Sequence, residues 1–141
     1  MTKTVNSTFL VKQNGSHFNL EKDTNNCAVL ALSNALNISY DDSYAFAEKV
    51  WKRIKRKGTK SYCIINTMMS GVILGRKVEI VEHRKSATDY TRMTLKQFID
   101  KHPSGTYYIL IAKHALVIKD SKIIDHCEKI RRRIFNAYEI I

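Results

Sequence analysis

Three residues of this 141-residue chain have the types and the order needed for nucleophilic catalysis: Cys27, His114 and Asp125. Cys27 opens the stretch CAVLALSNAL, whose residues 28–36 are mostly helix formers, with Asp23 or Thr24 as the expected N-cap. A helix N-terminus carries partial positive charge, which stabilises a thiolate and lowers the pKa of a thiol in the first turn. The thiolate is the attacking species, so a nucleophilic cysteine needs such a setting. On position alone Cys27 reads as a small core residue, because free cysteine is among the most buried residue types.

His114 turns that position towards chemistry. It begins the apolar segment HALVIK, where each ring nitrogen needs a partner. By itself it reads as a core histidine with satisfied nitrogens. With Asp120-Ser121 as a two-residue hairpin turn, Lys119 pairs with Lys122, Ile118 with Ile123, Leu116 with Asp125 and His114 with Cys127. His114 and Asp125 then share a face as diagonal neighbours. A carboxylate on one imidazole nitrogen fixes the tautomer and leaves the other nitrogen to act as a base. A slip of one residue in the register would turn Asp125 to the opposite face.

The elements that must hold these residues follow from periodicity and punctuation. Residues 7–13 suit a short strand before the turn Asn14-Gly15. Apolar residues surround the 28–36 helix on every side, which marks it as buried. Tyr40, Tyr44, Ala47, Trp51 and Ile54 step by fours and threes along a second, amphipathic helix that Gly58 stops. Asp41 and Asp42 at its start and the lysines and arginines of 52–57 at its end suit the helix dipole. Thr59 caps an expected third helix over 60–74, ended by Gly75, and 77–81 alternates as a short strand. Thr94 and Gln97 form a capping box for a helix over 95–101, which stops before Pro103. Residues 106–112 read as a strand covered on both faces, 114–119 and 122–125 as the hairpin, and 133–140 as a last strand. Helices first and antiparallel sheet second is an α+β order, with the whole of 1–141 as one domain.

Composition limits the function classes. The hydrophobic fraction is 44% and the charged fraction 26%, ordinary globular values that argue against disorder. The net charge of +11 favours anionic partners, nucleic acid among them. Between Lys49 and Lys60 stand seven basic residues and no acid, so Lys52, Arg53, Lys55 and Arg56 are candidate nucleic-acid or anion contacts. The bland reading of the run is a solvated helix end, and Trp51 inside it falls on the apolar stripe, as a core residue does. Arg131, Arg132 and Arg133 form a second basic cluster. Three cysteines at wide spacing make neither a disulfide framework nor a zinc motif, and alternation sends His126 away from Asp125 and Cys127, so no metal is expected. Cys63 lies in a helical stretch and is expected to pack. No stretch approaches the roughly 20 apolar residues of a membrane span, and no signal peptide is expected in MTKTVNSTFLV. An intracellular setting follows as the default expectation. The oligomeric state is not legible.

The order of cysteine on a helix N-terminus, histidine on a strand and aspartate on the next strand resembles the papain-like cysteine peptidase superfamily. More closely, NNCAVLALSNALNISYDDSYAFA, TLKQFIDKHPSGTYYILIAKHALVIKDSKIIDH and RRRIFNAYEI resemble stretches of small uncharacterised proteins common in bacteriophage and related viruses. The resemblance covers most of the chain after residue 24. It implies a minimal papain-like core, a buried N-terminal helix packed on an antiparallel sheet. It also implies amide hydrolysis on a protein or peptide substrate without a cofactor, inside a host cell or in association with a virion. Cys27 would be the nucleophile, His114 the base and Asp125 the residue that orients it. The superfamily usually has Gln six residues before the cysteine as an oxyanion donor, where this chain has Glu21. An ionised carboxylate accepts and cannot donate, so Asn25 or Asn26 would supply the amide beside the Cys27 N–H. The rival reading, from a different class, is a basic nucleic-acid-binding module that keeps the fold without the catalysis.

Overall fold

The computed structural model describes residues 3–5, 27–52, 59–83, 93–112, 114–124 and 132–141. The expected strand over 7–13, the caps at Asp23 and Thr24, and residues Glu21, Asn25, Asn26, Arg53, Lys55, Arg56, Asp125, His126, Cys127 and Arg131 lie outside them. The chain is α+β. Strands β1 (Lys3–Val5), β2 (Val72–Ile73), β3 (Arg76–His83), β4 (Thr106–Ile111), β5 (His114–Lys119), β6 (Lys122–Ile124) and β7 (Asn136–Ile140) form one seven-stranded sheet in the order β1-β6-β5-β4-β7-β3-β2. Every neighbouring pair is antiparallel except β1 with β6. The helices are α1 (Cys27–Leu36), α2 (Tyr40–Val50), α3 (Ser61–Met69) and α4 (Leu95–Lys101).

The central strands β4 and β5 are covered on both faces, as their unbroken apolar runs require. Tyr108, Leu110, Ala115 and Val117 share one hydrophobic core with α1, α2 and α3. Tyr107, Ile109, Leu116 and Ile118 belong to a second core with Leu95, Phe98 and Ile99 of α4. Each fully buried Leu, Ile or Val in these layers contributes roughly 1.5–3 kcal/mol relative to an exposed one.

Helix α1 is buried along its length from Ala28 to Leu36, in line with its all-round apolar sequence. It closes with Asn37 in the left-handed region at φ 55°. The Ile38 N–H then donates back to Ser33 O at 3.1 Å. Ser39 caps α2 by accepting from the Asp42 N–H at 3.1 Å. Thr94 and Gln97 make the full reciprocal capping box on α4.

Several expectations need correction. Helix α2 ends at Val50, well before Gly58, because Lys52 takes a left-handed φ of 56°. Trp51 closes the helix and is buried, with Nε1–H donating to Thr67 Oγ1 at 2.8 Å. Of the described members of the basic run only Lys49 is helical, and Lys52 is exposed beyond the C-cap. Helix α3 ends at Met69 instead of continuing to 74. The residues beyond it turn at Gly71 and form the β2–β3 hairpin over Leu74-Gly75, both with positive φ. A two-residue turn of that kind matches strand twist, so the pair reads as a hairpin rather than a helix end. The N-cap of α3 is Lys60 without a side-chain bond, and Thr59 Oγ1 is buried without a partner among the described residues. Strands β1, β2 and β3 precede or interrupt the helices, so the order is not helices first. The last strand begins at Asn136, and Arg133 instead bridges to Thr94.

Candidate active site

Cys27 is the first residue of α1 and is half-buried. The first N–H groups of a helix have no intrahelical acceptor and point out of its N-terminus. That of Ala28 faces the Cys27 sulfur, and the backbone N–H of Ala115 reaches it from β5. The His114 side chain is hydrogen-bonded to the same sulfur. Burial acts to raise the thiol pKa. The His114 hydrogen bond and charge, with the two backbone N–H groups, outweigh it, and the thiol is held below its ordinary value.

The hairpin that delivers His114 has the register the sequence predicts: Lys119 opposite Lys122, Ile118 opposite Ile123 and Val117 opposite Ile124. Asp120 and Ser121 both have positive φ, 46° and 70°, which is the backbone of a two-residue hairpin turn. Asp120 Oδ1 accepts from the Gly105 N–H at 2.9 Å and the Ser121 hydroxyl donates to Pro103 O at 2.9 Å, so the turn is tied to the start of β4. At the other end of β5, His114 stands opposite Ile111 across a two-residue connection. Alternation groups His114 with Leu116 and Ile118 on the α4 face, but as the first residue of the strand it stands where the sheet ends. There its side chain reaches round to Cys27.

Two residues that composition and motifs did not single out hold the first turn of α1. The Tyr108 hydroxyl on β4 donates to Ala28 O at 2.9 Å, fully buried. Burial and the neighbouring Cys27 charge push its phenol well above the ordinary value, so it serves as a donor and stays protonated. The Ser43 hydroxyl on α2 donates to Val29 O at 2.6 Å. Trp51 backs Tyr108 edge-on, with ring centroids 6.3 Å apart. A tyrosine inside the apolar run TYYILI was the available signal, since a buried hydroxyl calls for a partner. Ala115, Leu110, Asn136 and His83 stand in one row across β5, β4, β7 and β3, and Asn136 is buried.

The structure thus brings Cys27 and His114 together. Cys63 is half-buried and packs against the core beneath α3, as expected. Among the described residues no group of three His, Cys, Asp or Glu side chains could hold a metal ion, and no helix is long and apolar enough to cross a membrane. No family model, curated protein or solved structure matches this chain.

Proposed function

We propose that the protein is a small cysteine hydrolase acting on amide bonds of a protein or peptide, with a papain-like arrangement of buried helix and antiparallel sheet. The observation that carries this reading is the hydrogen bond between the Cys27 and His114 side chains at the N-terminus of α1. Cys27 as thiolate attacks the carbonyl carbon, and a C–S bond forms as the carbonyl π pair moves to oxygen. That oxyanion develops beside the first-turn N–H groups of α1, which offer donors that need no reorganisation. His114 gives its proton to the leaving amine as the C–N bond breaks. It then takes a proton from the water that releases the acyl group. Asp125 is proposed to orient His114, and Asn25 or Asn26 to add a side-chain donor to the oxyanion site.

Acyl transfer is testable without a known substrate. On exposure to p-nitrophenyl acetate, the wild-type chain should gain one acetyl group at Cys27, detected by mass, with release of nitrophenolate. Cys27→Ala should lose that adduct, and His114→Ala should form it much more slowly. Acetylation spread evenly over the three cysteines would contradict the reading.

A further inference from the structure

The second basic cluster of the sequence holds an arginine whose position is fixed by hydrogen bonds. Arg132 lies on the segment that leads into β7, and both its main chain and its side chain are tied down. Its C=O accepts from the Leu95 N–H at 2.9 Å at the start of α4. Its Nη2 donates to Ala112 O at 3.1 Å, in the connection between β4 and β5. Ala112 stands two residues before His114. The guanidinium is thereby anchored on the turn that presents the His114 imidazole.

A guanidinium has five N–H donors in a fixed fork. That of Arg132 is exposed and commits one of them to Ala112, and among the described residues no carboxylate pairs with it. An oriented, exposed Arg with further donors unpaired among the described residues matches a planar carboxylate better than a mobile lysine does. Ala112 and His114 are two Cα steps apart, at most about 7.6 Å, and an extended peptide advances about 3.3 Å per residue, so two or three residues cover that span.

We propose that Arg132 is a specificity-determining residue of the Cys27–His114 site, and that it selects peptides bearing an acidic side chain two or three residues from the bond attacked. The inference rests on the hydrolase reading and names its substrate class. The carboxylate of Asp or Glu takes the open edge of the guanidinium fork, while the extended peptide runs from Arg132 to Cys27 past the start of β5.

The test uses two peptide electrophiles, chloroacetyl-Gly-Asp-amide and chloroacetyl-Gly-Asn-amide. They differ only in one side-chain carboxylate. The Cys27 thiolate displaces chloride from either, forming a C–S bond as the C–Cl bond breaks. In the wild-type chain the Asp probe should alkylate Cys27 about tenfold faster, the size of one charge-assisted hydrogen bond. Arg132→Gln should bring the ratio of the two rates close to one, and Arg132→Lys should leave it in between. An arginine that merely braces the turn would slow both probes alike and leave the ratio where it was. A ratio near one in the wild-type chain, or an unchanged ratio in Arg132→Gln, overturns the proposal. Iodoacetamide, which is neutral and small, reports on Cys27 alone: a Cys27 no faster than Cys63 towards it overturns the hydrolase reading, and the proposal with it.

Discussion

The side chains of Cys27 and His114 are hydrogen-bonded to each other although one begins a helix and the other begins a strand. Two independent pieces of chain end at the same place. The thiol gains from both the positive end of α1 and the imidazole, and these outweigh the burial that acts against its ionisation.

The first prediction concerns pH. An ordinary free thiol titrates near about 8.5, and the alkylation rate of Cys27 should show its inflection below that. His114→Ala removes the side-chain hydrogen bond and the charge that lower the pKa, leaves burial in place, and should move the inflection upwards. In the window between the folded and unfolded thiol values the unfolded chain binds more protons, so stability rises with pH there, is fully present above the unfolded value and is lost as pH falls through the folded one. An unmoved inflection in His114→Ala would show that the imidazole does not act on the sulfur.

The second concerns Tyr108. Tyr108→Phe keeps the ring against Trp51 and removes the bond to Ala28 O. A buried hydrogen bond of this kind contributes about 1 kcal/mol, with a cost up to about 3 kcal/mol if the acceptor is left unpaired. Urea unfolding should show that loss with an unchanged slope. Cys27 alkylation should slow as well, because the first turn of α1 loses one of its two tethers.

The elements around Cys27 and His114 were legible where they depend on local chemistry. The capping box at Thr94 and Gln97, the two-residue turn at Asp120-Ser121 and the start of β5 at His114 are each set by a few adjacent residues, and each stands where the sequence puts it. The end of α3 was not legible. Thr59 and Gly75 bracket 60–74 as one helix, but the burial of Ile73 and Val78 in the core wins and draws 72–78 into a hairpin. Nor was the end of α2, where Trp51 turns inward to Thr67 on another helix. Tyr108 and Arg132 matter through partners on other elements, Ala28 and Ala112. No local pattern announces such pairings.

The third prediction uses that hairpin. Leu74 is a half-exposed side chain held at φ 46°. Leucine in the left-handed region costs roughly 1–2 kcal/mol, and asparagine tolerates it. Leu74→Asn creates an Asn-Gly turn and should stabilise the fold by about 0.5–1 kcal/mol, read as a higher unfolding midpoint. A lower midpoint would mean that Leu74 packs usefully.

A fourth prediction tests the opposite case at Gly105, where φ is 106° and an added Cβ would stand 2.9 Å from Tyr107 Oη. Tyr107 is fixed there by donating to Ser104 O at 2.8 Å. Gly105→Ala should lower stability by about 1–3 kcal/mol, the usual cost of a strained backbone position, with the same measurement. Equal stability of the two chains would show that the β4 entry yields freely.

The central claim is that Cys27 is an activated nucleophile, and mapped competitive labelling tests it most directly. The folded protein is treated at neutral pH with a small excess of iodoacetamide, quenched over a time course, digested, and the modified cysteines are quantified by mass spectrometry. The account predicts that Cys27 is labelled at least about tenfold faster than Cys63, and that His114→Ala or prior unfolding removes the difference. Equal labelling of Cys27 and Cys63 in the folded wild-type chain, or a Cys27 rate indifferent to the loss of His114, would contradict it.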